Sequence, residues 1–196
     1  TRTLHLDPSD PKKIYAGTTV GLFVSTNSGQ NWRQLLSDVV VNTIVVHPGN
    51  TEIVLAGTDD AGVLRSNDGG LTFKSSNSGF IHRQIPSIAI DAHRVGTYYA
   101  TASTDSQFGG FFISKDHGKH WIKHNDGLGK AASEIKRILP SNLDSSIFLA
   151  TTQGLYAGTF RDQPWSLLQG TNQLNILDIT FGNTKENILL IKKLSN

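Results

Sequence analysis

The order of apolar and polar residues predicts short strands and very little helix. In residues 39–79, four runs rich in β-branched or aromatic residues are separated by turn residues: VNTIVVH, EIVLAG, GVLRS and LTFKSS. Residues 128–137, LGKAASEIKR, are compatible with one helical turn, but the apolar run that follows suits a strand better. The pattern therefore predicts an all-β chain.

A turn motif recurs along the chain at a nearly constant interval. STNSGQNW at 25–32, SNDGGLTF at 66–73 and SKDHGKHW at 114–121 share one plan: Ser first, Asn or Asp two residues later, Gly two residues after that, and an aromatic residue at the end. The closing aromatic residues are 41, 48 and 44 residues apart: Trp32, Phe73, Trp121 and, in a degenerate fourth motif, Trp165. This interval indicates a repeat of about 44 residues.

Other residue types keep the same interval. A glycine stands four residues before each motif, at Gly21, Gly62, Gly110 and Gly154. An alanine follows a β-rich run in each unit, at Ala16, Ala56, Ala100 and Ala150. In three units a polar residue stands nine residues before that alanine, at Asp7, His47 and Asp91. Each unit is therefore predicted to hold four short strands.

Four strands in a repeat of about 40–45 residues are typical of one blade of a β-propeller. We expect a single all-β propeller domain or segment with four-stranded antiparallel blades at roughly 1–38, 39–79, 80–127 and 128–171, and a partial blade at 172–196. Only two strands of the fifth unit are present, so either the chain is part of a larger ring or another chain completes it. A closed four-blade ring with a spare hairpin is a third option, but it leaves unpaired strand edges. Because the chain contains no methionine, we interpret it as a processed, trimmed or partial product.

The motifs resemble the Asp-box (BNR) repeats of a broad group of β-propellers. That group includes sialidases, xyloglucan-cleaving glycosidases, sortilin-type receptors and photosystem II assembly-factor-like repeat proteins. The stretches LDPSDPKKIYAGT…GLFVSTNSGQNW and FGGFFISKDHGKHWIKHNDGL look most like the last type. The resemblance implies a propeller and favours an extracytoplasmic or secreted protein. The fourth unit departs from the pattern, because GTFRDQPW keeps Trp165 but lacks Ser, Asp and Gly.

We interpret the Asp boxes as structural turns. The Asn or Asp side chain can accept backbone hydrogen bonds, the glycine can supply a positive φ, and the aromatic residue can lie between sheets. Replacement of Asp68 or Asp116 by alanine should therefore lower stability rather than activity. A Ca²⁺ site needs six or more oxygen ligands, and one acid per turn cannot supply them. The residues with this structural role are Ser25, Asn27, Gly29, Trp32, Ser66, Asp68, Gly70, Phe73, Ser114, Asp116, Gly118 and Trp121.

The binding surface is expected on the opposite face of the propeller. In an antiparallel blade, the turns after strands 1 and 3 share one face, here called the Asp-box face. The turns after strand 2 and the connections between blades share the other, here called the irregular face, whose loops vary most in length. Candidate ligand-binding residues in these loops are Asp59, Asp60, His82, Arg83, Asp105 and Phe108.

The same loops hold the candidate acids of a glycosidase. Asp59, Asp60 and Asp105 come from adjacent units, and a glycosidase requires two carboxyl groups at a defined separation. Family signatures of catalysis are weak, because HRQIPS at 82–87 only loosely resembles the Arg-Ile-Pro motif of sialidases. The Asp-Ile-Gly-Gly stretch of xyloglucan-cleaving relatives does not occur. We therefore assign no catalytic residue in the main interpretation.

The composition excludes several classes of function. The chain has 196 residues, no cysteine and a net charge of +2. Disulfides and thiol catalysis are thus excluded, and no basic run indicates a nucleic-acid partner. No apolar stretch is long enough to span a membrane. Alternation along a strand would place His120 and His124 on one face but too far apart to share a metal ion, so His117, His120 and His124 are expected at solvent-facing turn and strand positions.

The sequence thus predicts a non-catalytic propeller scaffold without metal or cofactor. Its irregular face is expected to bind a protein, peptide or glycan, and the incomplete fifth unit predicts self-association or completion by a further chain. The alternative is a sialidase-like or xyloglucanase-like glycoside hydrolase that uses Asp59, Asp60 and Asp105.

Overall fold

The computed structural model describes residues 1–81, 83–103, 109–159 and 164–181, together with the backbone of 189–193. These residues form four four-stranded antiparallel sheets, a two-stranded sheet and one short 3-10 helix. The predicted fold class is confirmed: the chain is an all-β propeller segment with four full blades and the first hairpin of a fifth.

The first two blades each contain four strands in chain order. Blade 1 consists of β1 (Thr3–Leu6), β2 (Ile14–Thr18), β3 (Gly21–Ser25) and β4 (Arg33–Ser37). Blade 2 consists of β5 (Val41–Val46), β6 (Val54–Thr58), β7 (Val63–Ser66) and β8 (Lys74–Ser75).

The remaining blades follow the same order. Blade 3 consists of β9 (Ser87–Ile90), β10 (Tyr98–Ala102), β11 (Gly110–Ser114) and β12 (Ile122–Lys123). Blade 4 consists of β13 (Ile135–Pro140), β14 (Ser146–Thr151), β15 (Gly154–Thr159) and β16 (Ser166–Leu167), and the partial blade consists of β17 (Ile176–Phe181) and β18 (Leu189–Lys193). Within each blade every strand pairs with the next one along the chain, and the first strands of successive blades contact one another. The first strands therefore lie nearest the propeller axis.

The segment 128–137 contains both a helical turn and the start of a strand. A 3-10 helix covers Gly129–Glu134, and β13 begins at Ile135. Ala131 and Ala132 of the helix are buried, and Ala132 packs with residues of blades 3 and 4. The apolar run after the helix forms a strand, as its composition predicts.

The hydrophobic core consists of layers between successive sheets. Between blades 1 and 2, for example, Tyr15 and Leu22 of the first sheet pack against Ile44 and Val54 of the second. Equivalent layers join blades 2 and 3, blades 3 and 4, and blade 4 and the partial blade. A single four-stranded sheet cannot bury its own faces, so each blade depends on its neighbours for stability.

Ala150 of blade 4 does not occupy the position of the alanines in the other blades, contrary to the repeat pattern of the sequence. Ala16, Ala56 and Ala100 pair with Leu4, Ile44 and Ile88 of their first strands. In blade 4 the residue in this position is Leu149, which pairs with Ile138, and Ala150 lies one position later. Because successive strand residues point to opposite sides of a sheet, Leu149 faces blade 3 whereas Ala150 packs towards the partial blade.

The serine and the glycine of each Asp box are joined by the same hydrogen bonds. In the second box, Ser66 Oγ accepts the Gly70 N–H at 2.8 Å and donates to Asp68 Oδ1 at 2.6 Å. Asp68 Oδ1 also accepts the Thr72 N–H at 2.9 Å. The corresponding bonds occur in the first box, with Asn27 as the acceptor, and in the third, with Asp116. The side chains thus satisfy the backbone of their own turn.

Each Asp box is also bound to the neighbouring turn of its blade. Ser28, Gly69 and His117 hold equivalent positions with φ near +60°. Their N–H groups donate to the carbonyls of Lys12, Glu52 and Gly96, which lie between the first and second strands, at 2.9 Å in each case. Both turns of the Asp-box face are therefore connected in every one of these three blades.

The turns after the first strands contain a buried polar side chain. Asp7 Oδ1 accepts the Ser9 N–H, and Asp91 Oδ1 accepts the N–H groups of His93 and Arg94. In blade 2 the acceptor is His47 Nδ1, which binds the N–H groups of Gly49 and Asn50. Ser141 Oγ has the same role in blade 4, where it accepts from Leu143 and Asp144. These residues explain the polar position noted in the first three units and extend it to the fourth.

The closing aromatic residues connect each blade to the preceding one. Trp121 and Trp165 are 3% and 7% exposed, and their Nε1 groups donate to Ser76 O and His124 O of the preceding blade at 3.0 Å. Trp32 of blade 1 differs from the expected position between sheets: it is 42% exposed and donates to Gly29 O of its own box. The reason is that no described sheet covers this side of blade 1.

On the irregular face, steric crowding explains why a glycine recurs at the start of the third strand region. At Gly110, a Cβ atom would lie 2.0 Å from Asn125 Oδ1, and at Gly62 it would lie 2.1 Å from Asn77 Oδ1. Both asparagines bind across the turn after the second strand, accepting an N–H of the third strand and donating to a carbonyl before it. The glycine therefore leaves space for the amide that holds this turn.

We predict that Ser66→Ala lowers the free energy of unfolding by about 1–3 kcal/mol, because it leaves the buried Gly70 N–H without its acceptor. Urea denaturation monitored by tryptophan fluorescence measures the change. Thr26→Ala, at an exposed position within the first box, is the control and should change stability by less than about 0.5 kcal/mol. Equal losses in both variants would contradict the role assigned to Ser66.

We predict that Asp68→Asn weakens the acid sensitivity of the fold. Hydrogen bonds from Ser66 and Thr72 lower the pKa of Asp68 from 3.8 to about 2. A carboxyl group with a depressed pKa stabilises the fold above its unfolded pKa, and this contribution is lost as the pH falls from 3.8 towards about 2. Asparagine keeps the acceptor oxygen, as Asn27 does in the first box, but does not titrate. Unfolding free energies measured across this pH range should therefore fall less steeply in the variant, and an equally steep fall would refute this account.

Candidate functional site

A polar pocket opens where the first strands begin on the irregular face. Its volume is about 390 Å³, and we call it the axial pocket. The residues that line it are Arg2, Asn42, Asp59, Gln84, Pro86, Ser103 and Lys136. Since they come from all four full blades, the pocket depends on the arrangement of the whole segment.

Four of the lining residues occupy one repeat position. Arg2, Asn42, Pro86 and Lys136 each stand five residues before the polar turn residue of their blade, namely Asp7, His47, Asp91 and Ser141. In β5 and β13 the strand pairing is irregular at this position, between Val41 and Thr43 and between Ile135 and Arg137. A β-bulge of this kind leaves one residue unpaired and redirects its side chain. Asn42 and Lys136 thus line the pocket instead of continuing the alternation of their strands.

Side chains on one side of the axial pocket form a hydrogen-bonded chain. Arg2 Nη1 donates to Asn42 Oδ1 at 2.6 Å, and Asn42 Nδ2 donates to Asp59 Oδ1 at 2.7 Å. The Arg2 guanidinium also lies 3.7 Å from Asp59 Oδ2. Asp59 is therefore partly neutralised and oriented by residues of blades 1 and 2.

The opposite side of the pocket carries an unmatched positive charge. Lys136 forms no ion pair among the described residues, whereas the adjacent Arg137 lies 3.5 Å from Asp178 of the partial blade. Gln84 and Ser103 complete this side, and the Ser103 N–H donates to Gln84 O at 2.9 Å. The pocket therefore offers hydrogen-bond donors and acceptors with a cation at one end.

The residues selected from sequence are only partly assembled by this geometry. Asp59 is half-buried and lines the axial pocket, whereas Asp60 and Arg83 are exposed and do not line it. His82, Asp105 and Phe108 lie outside the described residues. The pair Asp59 and Asp60 does not converge on one cavity, so the described residues supply a single carboxylate to the pocket.

Sequence reasoning missed Arg2, Asn42, Gln84, Pro86, Ser103 and Lys136. A signal existed for four of them, because Arg2, Asn42, Pro86 and Lys136 each stand five residues before the polar turn residue of their unit, whereas Gln84 and Ser103 do not. The expectation of a binding surface rested on loop length, which does not indicate residues at the beginnings of strands.

Two negative findings apply to the described part of the chain. No three His, Cys, Asp or Glu side chains there are grouped so that they could hold a metal ion. Nor does any of its helices have the length and apolar character required to cross a bilayer. His120 instead pairs with Asp116, with its Nδ1 atom 2.5 Å from Asp116 Oδ2.

The family assignment rests on a match to residues 20–154, which is more than half of the chain. The matching family is Sortilin-Vps10, described as sortilin, neurotensin receptor 3. The chain belongs to the Sortilin-Vps10 family. The matched region of this Sortilin-Vps10 chain includes all three complete Asp boxes.

Individual relatives of this Sortilin-Vps10 chain include enzymes and a peptide-bound protein. The oligoxyloglucan-reducing end-specific xyloglucanase of Emericella nidulans is 27% identical over an alignment of 143 residues, which covers 62% of this chain and 17% of that enzyme. The GH74 xyloglucanase from Xanthomonas campestris superposes with a TM-score of 0.69 at 18% identity, covering 92% of this chain and 32% of its own. YCF48 bound to D1 peptide superposes with a TM-score of 0.67 at 16% identity, covering 96% of this chain and 60% of its own.

These comparisons show the fold of the Sortilin-Vps10 chain. It spans less than two thirds of the length of each of the three relatives. The structural matches are below 25% identity, so they carry no assignment of ligand or reaction.

Proposed function

We propose that this chain is a non-catalytic propeller scaffold that binds an extended protein or peptide segment in the axial pocket. The observation that carries the proposal is the composition of this pocket, which combines amide, hydroxyl, guanidinium and ammonium groups from four blades with one carboxylate already engaged by Arg2 and Asn42. An extended backbone presents alternating donors and acceptors, which such a polar surface can match. The relative YCF48, solved with a D1 peptide, supports a peptide as the ligand class.

The proposed ligand class can be tested by selection and mutation. The immobilised chain would be used to select peptides from a random phage-displayed library, and the selected peptide would then be titrated by fluorescence polarisation. We expect Lys136→Gln and Asn42→Ala to raise Kd by roughly tenfold or more, because each removes a group that lines the pocket. The matched control is Lys130→Gln, which removes an exposed lysine of the 3-10 helix outside the pocket. Equal affinities for all variants would show that the peptide binds elsewhere and would reject the pocket as the site.

A second candidate function is glycoside hydrolysis, supported by sequence similarity to the xyloglucanase of Emericella nidulans. Either mechanism of these enzymes needs two carboxyl groups flanking the scissile bond. The described pocket contributes only Asp59, and the remaining candidates are Asp60 and Asp105. Xyloglucan oligosaccharides and sialyllactose should therefore be incubated with the chain and with Asp59→Asn, Asp60→Asn and Asp105→Asn. Turnover by the parent chain that is lost in one of these variants would replace the scaffold proposal, whereas glycan binding without turnover would support a non-catalytic scaffold with a glycan as its ligand.

We also propose that the open side of blade 1 binds the partial blade of a second copy of this chain. Leu4, Leu6 and Trp32 are 64%, 58% and 42% exposed on blade 1. At the positions equivalent to Leu4, Ile44, Ile88 and Ile138 are only 3–5% exposed because the preceding blade covers them. Within the chain this position is covered three times by a face of the preceding sheet, and in the proposed association the partial blade of another copy takes the place of that sheet.

We predict that the chain associates at micromolar concentration and that Leu4→Lys suppresses this association, because a charge would have to be buried between two sheets. Analytical ultracentrifugation over a concentration series measures the effect. The matched control is Val95→Lys, at a residue that is 87% exposed on a turn of blade 3. A parent chain that sediments as a monomer at every concentration would contradict the proposal.

A further inference from the structure

A second polar cavity lies at the outer edge of blades 2 and 3, beside their Asp boxes. Its volume is about 340 Å³, and we call it the cationic groove. It is lined by Arg65, Asn67, Lys74, Ser75, Ser76, Asn77, Ser78, Lys119 and His120. Every one of these residues is basic or carries a neutral hydrogen-bonding group, and no carboxylate is among them.

Arg65 occupies a position that is apolar in the other blades. It is paired in register with Lys74, and the equivalent pairs are Val24 with Arg33, Ile113 with Ile122, and Ala157 with Ser166. Val24 and Ile113 are each 4% exposed in the layers between blades. Arg65 therefore takes the place of a core residue at the boundary between blades 2 and 3.

The Arg65 guanidinium is fixed by neutral acceptors. Its Nε donates to His117 O of blade 3 at 2.8 Å, and its Nη1 donates to Asn67 Oδ1. No carboxylate of the described residues lies within ion-pair distance of it. A half-buried charge ordinarily has a counter-charge, because its desolvation is otherwise uncompensated. The hydrogen bonds orient Arg65 but leave its charge unmatched.

Lys74 adds a like charge directly across the strand pair from Arg65. Like charges in opposed positions of an antiparallel pair destabilise it. Among the four equivalent residue pairs between the third and fourth strands of the blades, only the pair in blade 2 consists of two cations. Lys119 increases the positive charge from blade 3, and it too has no ion pair within the described part of the chain.

The nearby acids do not neutralise this charge. Asp68 is held by Ser66 and Thr72 within its own box. Asp116 is held by Ser114 and by the Nδ1 atom of His120, whose ring it orients at the edge of the groove. Both carboxylates thus have turn partners, and neither lines the cavity.

We propose that the cationic groove binds a tetrahedral oxyanion, the phosphate or sulfate group of a ligand. Arg65, Lys74 and Lys119 supply the positive charge, and the hydroxyl groups of Ser75 and Ser78 supply further donors. An anion between Arg65 and Lys74 would offset their mutual repulsion and the desolvation of the guanidinium. The site is independent of the axial pocket, since the two cavities share no residue.

The experiment uses inorganic phosphate as the probe, at an ionic strength kept constant with sodium chloride. Two-dimensional ¹H–¹⁵N NMR should show saturable shifts of the amide signals of Ser75, Asn77 and Lys119. Arg65→Val restores the residue type of blade 1, so we expect its melting temperature without phosphate to equal or exceed that of the parent. Lys74→Gln changes an exposed residue. Each variant should raise the Kd for phosphate at least tenfold.

The control variant is Lys12→Gln, which removes an exposed lysine from a turn of blade 1 and should leave the Kd unchanged. Shifts that do not saturate, or that are the same in Arg65→Val, Lys74→Gln and the control, would overturn the proposal. A parallel titration with a sulfated disaccharide and with a phosphoserine peptide distinguishes the two sources of the oxyanion. Saturable binding of either one that is weakened by Lys74→Gln supports the site.

Discussion

Each four-stranded sheet of this chain has two largely apolar sides, and their burial between successive sheets is the constraint on which the other features depend. Ile44, Ile88 and Ile138 occupy the same position in three blades, and each is buried by the blade before it. Trp121 and Trp165 add a hydrogen bond to a carbonyl of the preceding blade. Because a blade alone cannot exclude water from both sides, the repeat, the closing aromatic residue and the exposure of Leu4 and Trp32 all follow from stacking.

The turns serve this stacking by holding the strands of each blade in register. On the Asp-box face, serine and Asp or Asn side chains satisfy the backbone locally, and the box donates to the neighbouring turn. On the irregular face, Asn77 and Asn125 reach across the turn into the space left by a glycine. Because these side chains satisfy the hydrogen bonds of the turn backbones, other side chains of each repeat can vary without loss of the fold. That freedom is used at Lys136 in the axial pocket and at Arg65 in the cationic groove.

Much of the fold could be predicted from sequence, and much less of the site. The strands, the repeat interval and the fold class were recognisable because they depend on local periodicity and on residues a few positions apart. The alignment of blade 4 was wrong by one residue, since Ala150 resembles the other alanines in type while Leu149 occupies their place in the sheet. The exposure of Trp32 was not foreseen, because it depends on the sheet next to it and not on its own motif.

The sequence by itself determined which segments become strands and turns, since side-chain alternation and turn chemistry act over short distances. Only the tertiary structure decided which side chains meet. It placed Arg2, Asn42 and Asp59 in one hydrogen-bonded chain, although they are far apart along the sequence. It also placed Asp59, but not the adjacent Asp60, in the lining of the axial pocket. The physical reason is that the side chains of the axial pocket and the cationic groove come from several blades. Their positions depend on how the blades stack and where the strands bulge, which the sequence of a single repeat does not determine.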